Sequence, residues 1–149
     1  MIKPEIPAEI HALLTDDEVA EIVDHAIPFA DGSELDAISL AIAWNAHVEK
    51  IDRDRALPWS DKSVWNEYDL VGALFMRDFT EDALNALPSA LATKLRTYVD
   101  TVDEVFRSYT IDDSGERIAK SAMVDTAGKG WWWFRVPGSG PIAHDLAQY

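Results

Sequence analysis

Cysteine is absent from the chain, which removes disulfides, thiolate zinc sites and cysteine nucleophiles together. The same absence fits a reducing compartment. Basic residues are scarce: thirteen Lys and Arg stand against twenty-seven Asp and Glu, a net charge of −14. Sequence-independent binding of nucleic acid needs cations to displace counterions from phosphates, so nucleic acid is not an expected partner. Docking on anionic membrane surfaces is disfavoured for the same reason. Long apolar runs are missing as well. No stretch approaches the roughly 20 apolar residues that span a bilayer, and the N-terminal Met1-Ile2-Lys3-Pro4 lacks the apolar run of a signal peptide. The expected location is cytoplasmic. Internal repeats, low-complexity tracts and a domain linker are also lacking.

The chain does hold the material for a core. Its 149 residues are 48% apolar and 10% aromatic, which suits a single globular domain over 1–149. A domain of that size buries roughly 68–70% of its unfolded surface and needs no metal or disulfide staple. The charge is unevenly placed. Residues 1–49 hold eleven acids and only one base, Lys3, whereas from Arg117 onward four bases face only Asp125 and Asp145.

Helical signals dominate. Thr15-Asp16-Asp17-Glu18 is a capping box, with Leu14 and Val19 spaced as a hydrophobic staple. Val19, Ile22, Val23 and Ala26 form one apolar face up to Pro28, and a short helical turn is expected at Ala8–Leu13. After Asp31-Gly32-Ser33 a long helix is predicted from Glu34 to Ala56, apolar nearly all round at Ala37–Trp44 and therefore central. Leu57-Pro58-Trp59-Ser60 breaks the chain. A third helix follows through Val64, Trp65, Tyr68, Val71, Leu74, Phe75 and Phe79, and Thr80-Glu81-Asp82 caps a separate short helix through Leu87. Pro88-Ser89 opens the most regular helix. Leu91, Leu95, Tyr98, Val99, Val102, Val105, Phe106 and Tyr109 line its apolar face; Lys94, Arg96, Asp100, Asp103, Glu104 and Arg107 line the polar one.

Beyond Tyr109 two readings stand. Asp112–Gly115 closes a hairpin between Thr110-Ile111 and Arg117-Ile118, or Ser114 caps a helix through Thr126. Trp131–Val136 reads as a strand, followed by the loop Pro137–Pro141 and a last helical turn over Ile142–Gln148 with Pro141 at its first position. The expected fold is mainly α, five or six helices with a small C-terminal extended or β element.

The four histidines do not assemble a metal motif: there is no His-Glu-x-x-His, no His pair at helical spacing and no calcium loop. Ser139 lies between glycines, yet Gly138-Ser139-Gly140 lacks the Gly-x-Ser-x-Gly spacing of a nucleophile elbow. No catalytic residue, metal or cofactor is expected. Two segments remain as candidates. Asp16, Asp17, Glu18, Glu21 and Asp24 form an acidic surface suited to steering a basic protein partner. Trp131, Trp132, Trp133, Arg135 and Ser139 form an aromatic segment for a ligand or partner. On a strand Trp132 would face opposite to Trp131 and Trp133, with Arg135 near an indole and the Gly-flanked loop offering amides to an anion.

The function expected from this profile is an acidic protein-binding module. Small size, strong negative charge and no catalytic constellation are the physical profile of nuclease inhibitors and immunity-type proteins, a comparison of property and not of motif. The alternatives are a small enzyme or ligand-binding protein with an aromatic pocket around Trp131–Arg135, and a homo-oligomer that buries its tryptophans between copies.

Overall fold

A computed structural model describes residues 5–29 and 31–149; the predicted features at Met1–Pro4 lie outside them. Helix makes up 62% of the chain, with two small two-stranded sheets, so the fold is mainly α with a small extended element near the C-terminus. Among the described residues there are seven α-helices, four of them under ten residues long. None is long and apolar enough to cross a membrane. Contacts divide the chain into two compact units: unit 1 is Met1–Ala46 with Met76–Asp103, and unit 2 is His47–Phe75 with Glu104–Tyr149.

Unit 1 begins with α1 (Ala8–Leu13) and α2 (Asp16–Asp24). The capping box forms as its sequence demands: Glu18 N–H donates to Thr15 Oγ1 at 3.2 Å, and Thr15 N–H donates to Glu18 Oε1 at 3.0 Å. Leu14 and Ile22 are buried, while Val19 and Val23 are half-buried. The helix stops at Asp24, before the predicted Ala26. Ile27–Pro28 (β1) instead pairs antiparallel with Glu34–Leu35 (β2), a hairpin the helical reading of Glu34 missed. Gly32 (φ +87°) supplies the left-handed turn residue, and the Asp31 carboxylate accepts from Ser33 N–H and Oγ–H.

The central helix α3 (Ala37–Asp54) therefore starts three residues later than its apolar pattern suggests. Asp36 sets the boundary, its carboxylate accepting from Ser39 N–H at 2.9 Å and Ser39 Oγ–H at 3.0 Å. Ile38, Leu40, Ala41 and Trp44 are buried, as a helix apolar on several sides requires. Helix α4 (Glu67–Ala86) runs unbroken through the predicted Thr80 cap. Thr80 is buried and donates to the carbonyl of Met76, one turn back, so its hydroxyl is satisfied inside the helix. The true cap is Asn66, whose Oδ1 accepts from Tyr68 and Asp69 N–H while Asp69 returns a carboxylate to Asn66 N–H.

Helix α5 (Ser89–Tyr109) buries Leu91, Leu95, Tyr98, Val99, Val102, Phe106 and Tyr109. Two residues exchange roles relative to the pattern: Val105 is 40% exposed, and Asp103 is 3% exposed. Asp103 lies four residues after Val99 and three before Phe106, on the buried stripe, so it enters the interior wherever a cation meets it.

In unit 2, the hairpin between Thr110-Ile111 and Arg117-Ile118 does not form, and the alternative helix is shorter than predicted and not capped by Ser114. Thr110–Asp112 (β3) pairs antiparallel with Arg135–Pro137 (β4), with Ile111 opposite Val136 and Asp112 opposite Arg135. The N-cap position of α6 (Arg117–Ala122) is Glu116, and the Asp113 carboxylate, not Ser114, accepts from the first helical amides, Arg117 and Ile118 N–H, each at 3.0 Å. Trp131–Phe134 is a turn of 3₁₀-helix and not a strand; the strand begins only at Arg135. Helix α7 (Pro141–Leu146) opens on Pro141, as predicted. Gly140 precedes it at φ +92°, where a side chain would also collide with the backbone of Arg55.

Candidate functional site

The acidic helix α2 lies on unit 1. Asp17, Glu21 and Asp24 are spaced four and three apart, on one face of the helix. They are exposed, as is Asp16 beside them. Glu18 is half-buried and structurally committed: besides the cap, its Oε2 accepts from Lys94 Nζ at 2.7 Å. Lys94, and next the Thr15 amide, hold its carboxyl below the usual carboxylate range. Four of the five predicted acids therefore face solvent, and the fifth anchors the helix.

The net charge follows the same division. Unit 1 carries fifteen acids and four bases, a net −11; unit 2 carries twelve acids and nine bases, a net −3. The three described bases of unit 1 are all engaged internally. Lys94 holds Glu18. Arg77, 2% exposed, lies against Asp103, with Nε to Oδ1 and Nη2 to Oδ2 both 2.9 Å, and its Nη1 reaches Glu81 at 3.0 Å. Arg96 clasps both oxygens of Glu81 at 3.1 and 2.8 Å. The Glu81 carboxyl is pulled below its ordinary range by Arg96 first and Arg77 next. Trp44 completes the network by donating Nε1–H to Asp103 Oδ1 at 2.9 Å. The described cations of unit 1 are each paired with a carboxylate of the same unit, Arg77 in the interior and Lys94 and Arg96 nearer the surface.

Beside this surface the first hairpin frames an apolar groove of about 370 Å³, walled by Ile27, Pro28, Phe29, Phe79 and Asp82. Phe29 meets Phe79 edge-to-face at 5.1 Å between ring centres. Phe79 shares the helical spacing of Leu74 and Phe75, yet it is 37% exposed. Nothing in the local pattern separates it from its buried neighbours, because the groove is made by the unpredicted hairpin.

The aromatic segment in unit 2 is packed. The 3₁₀ geometry buries Trp132 and Trp133 together, which the strand alternation forbids, and leaves Trp131 half-buried. Gly130 permits this, because a Cβ there would fall inside the Trp132 ring. Trp133 sits edge-on to Phe75 at 4.9 Å, and Trp131 lies 6.3 Å from Phe106. The cations over the indoles are not Arg135: Arg107 stands 3.8 Å from the Trp131 ring and Lys129 stands 4.6 Å from that of Trp133. Arg135 clamps β3 to β4 instead, bonding Thr110 Oγ1 at 2.9 Å, Asp112 at 3.0 Å and the Thr110 carbonyl at 2.6 Å. Ser139 is exposed, its Oγ accepting from Arg55 Nε at 3.3 Å. The segment reads as internal packing plus one strand clamp.

Unit 2 also presents an exposed aromatic group that the sequence reading took only as a break. Trp59, 57% exposed, donates to Asp145 Oδ1 at 3.1 Å and meets the His144 ring in a tilted contact at 4.7 Å. Burial first, and Asp145 next among the raising causes, push the Glu67 carboxyl above its usual range. Among the described residues, no three His, Asp or Glu side chains come together as a metal site.

Comparison with protein-family models, with curated proteins and with solved structures finds nothing that matches this chain.

Proposed function

We propose that the chain is a protein-binding module that engages a basic protein partner through the acidic surface of unit 1. One observation carries this reading: unit 1 holds a net −11 of the total −14 while its described cations are consumed in internal ion pairs. Concentrating like charge on one unit costs stability through self-repulsion, and its physical benefit is a field that draws in an opposite charge. The exposed stripe Asp17, Glu21, Asp24, with Asp16 beside it, stands on a helix held by the Thr15–Glu18 box and the Lys94 pair. The alternative pocket around Trp131–Arg135 receives less support, since those rings pack on Phe75 and Phe106 and on their own cations. A cysteine-free chain suits the cytoplasm, which belongs to the same reading.

Binding of a blocked lysine- and arginine-rich peptide, followed by calorimetry across a salt series, tests the proposal. Affinity should fall steadily with salt, as the Debye length contracts from about 10 Å at 0.1 M to about 3 Å at 1 M. Salt-independent binding, or none at low salt, contradicts it.

A further inference from the structure

The groove beside the first hairpin has a composition that the acidic surface alone does not explain. Four of its five walls are apolar, and acids lie close to them in the chain. Asp82 is itself a wall residue. Exposed Glu34 is the register partner of Pro28 across the hairpin, Asp31 lies in the hairpin loop, and Asp24 ends α2 three residues before Ile27. Asp31 stays firmly ionised, because its bonds to Ser33 lower its pKa. The groove is therefore apolar with one acid in its wall, and the hairpin that frames it carries further exposed acids.

We propose that this groove receives one bulky apolar side chain, aromatic or long aliphatic, presented by a Lys/Arg-rich segment of the basic partner. The proposal rests on the reading of unit 1 as the partner-binding surface and adds what anchors the partner once charge has brought it near. The volume of about 370 Å³ is at the small end of ligand pockets and suits a single large side chain. Phe29 and Phe79 supply an edge-to-face pair against which an inserted ring or branched chain packs. Pro28 has no N–H, so β1 cannot extend its sheet through that residue, and the occupant is held by side chains and not by strand addition. A second copy of the chain is a poor occupant: it would bring another unit of net −11 to a groove with Asp82 in its wall. A neutral apolar ligand would offer Asp82 and the hairpin acids no counter-charge. A basic segment with one apolar anchor answers both features, and such an anchor ringed by polar contacts is how binding energy concentrates at interfaces.

The test uses three blocked heptapeptides on the intact chain: Lys-Arg-Lys-Phe-Lys-Arg-Lys, the same with a central Ala, and a Phe-centred peptide with Glu flanks. The Phe-centred basic peptide should bind at least about tenfold tighter than the Ala-centred one, the gain expected from burying one aromatic side chain. Phe79→Ala should erase that gap while leaving the weaker, charge-driven binding of the Ala-centred peptide. Because Phe79→Ala also removes the contact with Phe29, Glu34→Lys and Asp82→Lys serve as exposed variants; each should weaken both basic peptides without shifting the thermal melt. Equal, salt-sensitive binding of both basic peptides overturns the groove proposal and leaves the acidic surface standing. Failure of both to bind at low salt overturns the two together. Equal binding of the Glu-flanked peptide overturns the charge selection. Self-association in sedimentation that Phe79→Ala abolishes assigns the groove to a second copy and overturns the partner.

Discussion

Asp103→Ala tests whether unit 1 is held by the inward-facing charge network. The substitution removes three bonds of 2.9 Å: two to the Arg77 guanidinium and one to the Trp44 indole. The side chains of Arg77 and Asp103 are 2% and 5% exposed, so water cannot replace the lost acceptor without opening the unit. Glu81 still accepts from Arg77 Nη1, which limits the damage. Breaking a buried pair by removing one partner costs about 3–5 kcal/mol, because the remaining charge keeps its desolvation penalty. That is a large fraction of the roughly 5–15 kcal/mol that holds an ordinary domain together. At a urea slope of about 2 kcal/mol per molar, the denaturation midpoint should drop by roughly 2 M with the slope unchanged. The double variant Arg77→Met/Asp103→Leu should recover part of the loss, since an apolar pair carries no stranded charge although the buried Trp44 indole still loses this acceptor. A midpoint that moves by less than about 0.5 M in Asp103→Ala, on the same slope, would refute the reasoning.

Thr15→Ala should cost about 0.5–2 kcal/mol, read as a midpoint shift in denaturant, because the cap oxygen of α2 is lost. Gly130→Ala should destabilise the chain by more than about 2 kcal/mol and broaden the near-ultraviolet signal of the tryptophans, because the new methyl displaces the Trp132 ring. Glu81→Gln should lower stability at neutral pH by an amount that shrinks in acid. The folded carboxyl titrates below its ordinary value of 4.5, so its contribution is complete above that pH and disappears as pH falls through the lower folded value. Denaturation midpoints of wild type and variant, compared at neutral pH and below pH 4.5, should converge in acid; parallel curves count against the ion pair.

The helices were legible where the signal is local. The Thr15 box, the apolar run Ala37–Trp44 and the stripe Leu91–Tyr109 each declare themselves within a few turns of chain. What escaped was set by partners distant in sequence. Thr110–Asp112 finds its strand partner at Arg135–Pro137, not in the adjacent turn, and Asp103 is drawn inside by Arg77, which no window around either residue reveals. Glu34 lies between the Asp31-Gly32-Ser33 turn and the apolar run of α3, so only its pairing with Pro28 shows that it belongs to a hairpin. The tryptophan run misled because its β-propensity is real, while a 3₁₀ turn after Gly130 buries the neighbours Trp132 and Trp133 together. Of the candidate sites, the exposure of Asp16, Asp17, Glu21 and Asp24 followed directly from helical periodicity. The groove did not, because it exists only once the hairpin and α4 are both in place.

The claim that unit 1 is the partner surface is tested most directly by neutralising equal charge on each unit. One variant carries Asp16→Asn, Asp17→Asn, Glu21→Gln and Asp24→Asn; its control carries Glu49→Gln, Glu104→Gln, Glu116→Gln and Asp125→Asn, exposed acids of unit 2. Both remove four negative charges, and thermal melts establish that both are folded before use. Stopped-flow association with the Phe-centred basic peptide at low salt should slow by about tenfold or more in the unit 1 variant and by less than about threefold in the control, because steering acts through the local field. Equal slowing would show that only total charge matters, and it would contradict a partner surface on unit 1.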